Sequence, residues 1–291
     1  MGNLSTMSRL RLAILALSFF TLLCTAGFAN TQEPLTLEIH PYLPATEIAQ
    51  RFTPLADYLG SKIGRPVVIK IAKDYDEHID EIGKDKVDIA YMGPASYVKL
   101  VEKYGRKPIL ARQEINGKPT FKGAIIVVKE SPIRGLADLK GKRFAFGDPD
   151  STMSHLVPRY MLWKAGVDIK DLRHHVFLSN HHNVVLGVLS GDFDAGAVKD
   201  DVFYEYEKRG IRALVWTPAI SEHLFVTRSN LPEKTVKQLR AAFYGLKDDR
   251  EGAAVMTSIH KNMTGMAPAR DEDYDNLRGI LRSLKRLGVQ P

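Results

Sequence analysis

Ser151 and Thr152 are the side chains of this sequence best placed for chemistry, because they sit in the run Asp148-Pro149-Asp150-Ser151-Thr152, where a β-type segment gives way to a helical one. Hydroxyls beside the unpaired amides of a helix N-terminus make an anion site: the amides donate, the helix dipole favours negative charge, and the hydroxyls add further donors. Serine and threonine are also ordinary N-caps, and spacing alone leaves both readings open. A second helix mouth, Gly93-Pro94 followed by Ser96 and Tyr97, comes from the other half of the chain. Its plainer reading is a turn and a cap. Two such mouths meeting between two α/β units would enclose a small oxyanion.

Signatures of catalysis are missing. The sequence holds no Gly-x-Ser-x-Gly elbow, no His-Glu-x-x-His and no phosphate-binding loop ending in Gly-Lys-Ser/Thr. His174 and His175, like His181 and His182, are sequence neighbours, which project about a hundred degrees apart on a helix or to opposite faces of a strand and so chelate a metal poorly. Neither a metal nor any other cofactor is expected.

The elements that must position these groups alternate. Short β-branched runs at 35–39, 67–71, 87–91, 124–128, 143–146, 175–178, 194–198, 213–216 and 224–227 are separated by helical stretches, a pattern that predicts an α/β protein with largely parallel sheets. Ile48, Phe52, Leu55, Leu59 and Ile63 recur at spacings of four and three, one stripe along a helix that Gly64 and Pro66 end. Other helices are predicted over 76–82, from Pro94, over 154–165 and 182–189, and through most of 233–287. Two sheets of about five strands accommodate these runs better than one large sheet.

Among 291 residues, 41 Lys and Arg face 34 Asp and Glu, a formal charge of +7. The excess is diffuse, with no basic block and no nucleic-acid-binding motif, so a nucleic-acid partner is not expected. Arg9 and Arg11 precede an apolar run over residues 12–24 that is too short to span a bilayer, and Gly27-Phe28-Ala29 supplies small residues at minus three and minus one. A secretory signal cut after Ala29 is predicted. The exported chain then has 262 residues, loses only those two arginines and keeps a charge of +5. Cys24 is the single cysteine and leaves with the signal, so disulfides, thiolate metal sites and cysteine nucleophiles are excluded together. Leu22-Leu23 before it lacks the small residue that lipoprotein processing needs.

Several motifs together resemble a known family. They are Phe52-Thr53-Pro54-Leu55 with Tyr58-Leu59, Val87-Asp88-Ile89-Ala90 with Gly93-Pro94 and Ser96-Tyr97, residues 136–141, Asp148 to Thr152, and His181 with Val188, Gly191 and Asp194-Ala195. The mature sequence is similar throughout to the periplasmic binding proteins of phosphonate, phosphite and phosphate ABC transporters. The fold this implies is a type 2 periplasmic binding protein: two α/β lobes, each a mainly parallel sheet flanked by helices, with the ligand in the cleft at the hinge. Lobe one would comprise residues 30–122 and 222–291, lobe two residues 123–221, with crossings near Phe121 and Ser221.

The resemblance carries over Tyr75, the Ser151 and Thr152 hydroxyls, His181 as an oxyanion donor, and Asp201 as a carboxylate toward the ligand's remaining substituent, with Asp200 a rival. Three positions depart from the family pattern. Met153 stands where relatives continue with another serine, leaving Ser154 as the substitute donor; Phe121 replaces a pocket tyrosine; and His223 falls where an aspartate is usual. Iron-carrying relatives use adjacent tyrosines, whereas Tyr204 and Tyr206 here are separated by Glu205. The implied function is capture of a phosphorus oxoanion by a monomer that delivers it to an inner-membrane permease, without catalysis. The alternative is a periplasmic sensor that signals to a membrane histidine kinase.

Overall fold

The computed structural model of the protein describes residues 33–288; the predicted signal segment and its cleavage point lie outside them. Thirteen strands and nine α-helices follow one another among these residues. The first half runs β1 (Leu35–Ile39), α1 (Ala45–Ile63), β2 (Val67–Ile71), α2 (Tyr75–Gly83), β3 (Ile89–Met92), α3 (Pro94–Tyr104), β4 (Ile109–Ile115), β5 (Thr120–Phe121) and β6 (Gly123–Val128). Next come β7 (Arg143–Phe146), a π-helical turn (Thr152–Leu156), α4 (Val157–Lys164), β8 (His174–Phe177), α5 (His181–Leu189), β9 (Ala195–Lys199), α6 (Asp200–Tyr206) and β10 (Ile211–Trp216). The chain closes with β11 (Ile220–Ser221), β12 (Leu224–Thr227), α7 (Glu233–Gly245), α8 (Arg250–Ile259), β13 (Met263–Ala267) and α9 (Asp275–Arg286).

A six-stranded sheet has the order β13-β4-β12-β3-β1-β2 and a five-stranded sheet the order β10-β6-β9-β7-β8. Both sheets are mixed, which corrects the expectation of mainly parallel ones. β1, β2 and β3 pair in parallel, as do β7, β8 and β9, because a helix crosses over between each pair. The strands that carry the chain between the sheets enter antiparallel: β6 beside β9, and β12 beside β3 and β4. The two crossings themselves pair as a short ribbon, β5 with β11.

Local chemistry explains the elements. In α1 the stripe Ile48, Phe52, Leu55 and Leu59 is fully buried, and Gly64 ends the helix at φ 67°, a conformation that glycine adopts without penalty. Each such side chain taken from water contributes roughly 1.5–3 kcal/mol. α3 starts with Pro94 in its first turn, where a missing N–H costs nothing. The predicted helix over 154–165 begins instead with the π-helical turn, in which the Leu156 amide reaches back to the Ser151 carbonyl at 3.0 Å. The six-stranded sheet packs one face against α1, α7 and α8, while its other face shares a core with α3, α9 and the start of α4.

Candidate functional site

Strand ends deliver the site. β1 is followed directly by His40, β3 by Gly93, β9 ends on Lys199, and the loop after β7 carries Ser151 and Thr152. Ligands of α/β sheets gather at these carboxyl ends because the chain turns into helices there and exposes amides. With Tyr42, Tyr75, Phe121, Met153, His181 and His223 these residues line one small cavity of ≈ 290 Å³, in which the centre of a water molecule has ≈ 20 Å³. One water needs about 10–15 Å³ by that measure, so the free space is little more than a water's.

The two helix mouths touch each other. The Ala95 amide donates to Thr152 Oγ1 at 3.0 Å, joining α3 of the six-stranded sheet to the π-helical turn of the other. Ser151 Oγ accepts from the Ser154 amide at 3.2 Å, and its hydroxyl adjoins that of Tyr75. Ser151 thus caps the turn and lines the cavity. Hydroxyl oxygens already engaged as acceptors still have a proton to donate. Ser96 does not line the cavity; its hydroxyl is buried with no hydrogen-bond partner.

His181 opens α5, capped by Asn180, and its Nδ1 accepts from the Lys199 amide at 3.0 Å. An acceptor Nδ1 fixes the neutral tautomer with the proton on Nε2, a donor for the cavity. Burial pushes the His181 pKa down to about 3. Tyr42 and Tyr75 stay protonated, since burial raises the first to about 12 and the second well above the ordinary phenol range. The cavity wall carries no carboxylate.

Six of the eight residues singled out in the sequence meet here: Tyr75, Phe121, Ser151, Thr152, His181 and His223. Two do not. The Ser154 hydroxyl is spent on the Ala197 carbonyl at 2.5 Å, which ties the turn to β9, so it does not replace the donor that Met153 lacks. Asp201 lies on a neighbouring, larger chamber, with its rival Asp200, Glu222, His260 and Tyr204, where a water's centre has ≈ 590 Å³.

Phe121 and Lys199 belong to both spaces and form the partition between them. The Lys199 ammonium lies over the Phe121 ring at 5.1 Å from its centroid, 3.8 Å from Asp201 and 3.9 Å from Glu222. Burial works against that charge, but Asp201 and Glu222 outweigh it and hold the lysine's pKa above its ordinary range. His40, Tyr42 and Lys199 are beyond the sequence reading because they fall in no motif. The signal that finds them is positional: His40 and Lys199 sit at the ends of predicted strands.

Among the described residues no group of three or more His, Cys, Asp or Glu is arranged to hold a metal ion. The smaller cavity is walled by hydroxyl, phenol and imidazole groups beside one ammonium, that of Lys199. The two mixed sheets, their helices and the cavity between them define a two-lobed periplasmic binding protein of type 2. Within that class, the profile of the family described as "ABC transporter, phosphonate, periplasmic substrate-binding protein" matches residues 37–274, and the chain belongs to this family. It is the periplasmic substrate-binding component of a phosphonate/phosphite-type ABC transporter, and the family is one of binding proteins rather than enzymes.

The chain is 28% identical over 264 residues to the phosphonates-binding periplasmic protein of Escherichia coli (strain K12), covering 87% of this chain and 76% of that protein. It is 25% identical over 279 residues to the phosphate-import protein PhnD of Mycolicibacterium smegmatis, covering 87% and 86%. The fold matches that of PhnD1 from Prochlorococcus marinus (MIT 9301) in complex with methylphosphonate, with a TM-score of 0.79 and 24% identity over 86% of this chain and 98% of that one.

Proposed function

We propose that the chain captures one small phosphorus oxoanion, of the phosphonate, phosphite or phosphate kind, and presents it to an inner-membrane permease after export and cleavage behind Ala29. The observation that carries this reading is the small cavity in which Ser151, Thr152 and His181 converge with no carboxylate on the wall. Ser151 and Thr152 hydroxyls and the His181 Nε2 proton grip the ligand oxygens. Tyr75 and Phe121 close the aromatic side, and His223 meets a further oxygen. A substituent that passes Phe121 and Lys199 enters the outer chamber and meets Asp201.

The lobes are residues 30–122 with 222–291, and 123–221. The β5–β11 ribbon is the hinge, and the bond from Ala95 to Thr152 is a latch made on closure. The protein works as a monomer with no cofactor.

A thermal-shift screen of refolded, ligand-stripped protein tests this against phosphate, phosphite, methyl- and aminoethylphosphonate, sulfonates and carboxylates. A ligand at about 100 times its dissociation constant adds about 2.7 kcal/mol of stability. The expected result is a clear shift from a phosphorus oxoanion, lost in Ser151→Ala and His181→Ala. A shift from carboxylates alone would overturn the reading.

A further inference from the structure

His40 and His223 flank the cavity from the two strands on either side of β3: His40 follows β1, and His223 precedes β12. Their rings stack with centroids 5.4 Å apart and planes 15° apart. Gly93, at the end of β3, lies beneath both. A Cβ built on it would stand 3.7 Å from His40 Nε2 and 3.8 Å from His223 Nε2, so the two nitrogens face one small region at the mouth of α3.

The partners behind the rings determine what those nitrogens carry. His40 Nδ1 lies 3.0 Å from the Tyr91 carbonyl, and His223 Nδ1 lies 2.8 Å from Glu222 Oε2. A carbonyl and an ionised carboxylate only accept, so each neutral ring keeps its proton on Nδ1 and turns a bare lone pair toward the cavity. This is the reverse of His181, which turns an N–H. A fully deprotonated ligand oxygen between two lone pairs has no donor from either ring.

We propose that His40 and His223 are specificity-determining residues that seat one ligand oxygen between their Nε2 atoms only when at least one proton is shared among the three. The proton arrives either on the ligand, as a P–O–H that donates to a ring, or from solvent onto a ring that then donates to the oxygen. The site thereby favours oxoanions that carry a proton near neutral pH over sulfate and sulfonates, which do not. This rests on the phosphorus-oxoanion reading above and adds its protonation state.

The surroundings set the balance. His40 is faced by Tyr75 and His78 from α2, by Tyr42 beyond β1, by Tyr91 from β3, by His223 before β12 and by Lys199 from β9; His223 is faced by His40, Tyr42, Tyr91, Phe121, His181, Glu222, Lys199 and Asp201. Burial holds both rings below the ordinary histidine range; the His223 and His78 rings add to it for His40 and the Lys199 ammonium for His223, against smaller upward pulls from the Tyr91 carbonyl on His40 and from Glu222 and Asp201 on His223. Both are therefore neutral in the free protein at pH 7, and the shared proton comes with the ligand.

Titration calorimetry of the ligand-stripped protein tests this with methylphosphonate, phosphite and sulfate from pH 5.5 to 8.5, in buffer pairs that differ in ionisation heat. Near pH 8, uptake of about one proton per methylphosphonate is expected, with affinity falling about tenfold per pH unit on the alkaline side. Sulfate should bind at least about tenfold to a hundredfold more weakly than methylphosphonate. His223→Gln, which offers a neutral N–H, should lower the uptake and flatten the alkaline limb. Tight methylphosphonate or phosphite binding with no proton uptake and a flat pH profile would overturn the proposal and leave the cargo assignment standing. Failure of both phosphorus oxoanions to bind would overturn the two together.

Discussion

Gly93 shows how much a single missing carbon can matter in this site. Its backbone lies at φ −69° and ψ 154°, which any residue adopts, and an added methyl would meet both imidazole nitrogens at ordinary contact distance without a clash. Gly93→Ala should therefore leave stability within about 0.5 kcal/mol of the parent. The methyl nevertheless occupies the space assigned to a ligand oxygen, so affinity should fall at least about tenfold, the loss of one charge-assisted hydrogen bond. Paired urea melts and calorimetry check this; unchanged affinity would place the oxygen elsewhere. At this scale the sequence is legible where chemistry follows residue type: Ser151 and Thr152 are recognisable as donors beside a helix start, while His181 enters only through the family resemblance. It is illegible where chemistry follows from a partner distant in sequence. That His181 donates and His223 accepts depends on the Lys199 amide behind one ring and the Glu222 carboxylate behind the other.

The elements that hold these residues owe their register to small side chains. Gly196 in β9 lies under α5, and a Cβ there would stand 2.5 Å from Val184 Cγ1 and 3.1 Å from the Ala145 carbonyl. Gly196→Ala must push α5 outward and should cost about 1–3 kcal/mol by overpacking. Because the same helix begins with His181, bonded to the last amide of β9, ligand affinity should fall with stability. Gly279→Ala, on the exposed face of α9 with no atom near its would-be Cβ, is the counterpart and should stabilise by roughly 0.5–1 kcal/mol. Urea midpoints of the two variants should move in opposite directions. The strongly periodic elements, β1, α1, β7 and β12, are predictable in place because their apolar spacing is unambiguous. β4 and β13 are not. β4 reads Ile-Leu-Ala-Arg-Gln-Glu-Ile and β13 reads Met-Thr-Gly-Met-Ala; both have few β-branched residues, and their strand character comes from pairing, β13 at the sheet edge with β4 alone and β4 with β13 and β12. The same lack of signal hides the two-residue strands β5 and β11.

Acid is the perturbation that should act on the molecule as a whole. Burial holds His181 at about 3, His155 at about 4 and His260 at about 4, and depresses His40 and His223 as well. A histidine whose folded pKa lies below its unfolded value leaves stability unchanged above about pH 6.5; below that the unfolded chain takes the proton first, and stability falls until the folded pKa is passed. Asp148, pushed up to about 7 by burial, and Asp200, up to about 6, have the opposite sign, costing stability as pH rises from about 4 toward those values. The histidines outnumber them, so the ligand-free protein should lose stability on acidification from pH 6.5 to 4.5. His155 contributes without touching the cavity: its ring is packed between Phe146 and Phe177, and its Nδ1 donates to the Pro149 carbonyl at 2.5 Å. His155→Gln should flatten the slope by up to about 1.4 kcal/mol per pH unit, whatever it does to the absolute midpoint. Saturating methylphosphonate should flatten the slope too, by a separate route, because the proton shared between the bound anion and the His40 and His223 rings is held only by the folded complex. Thermal melts across pH 4.5–7.5, with and without ligand, separate the two contributions: the His155 effect should persist in both, and the ligand effect should vanish in His40→Gln combined with His223→Gln. A ligand-free protein whose midpoint rises steadily toward pH 4.5 would mean that the buried carboxyls, not the imidazoles, dominate its proton balance.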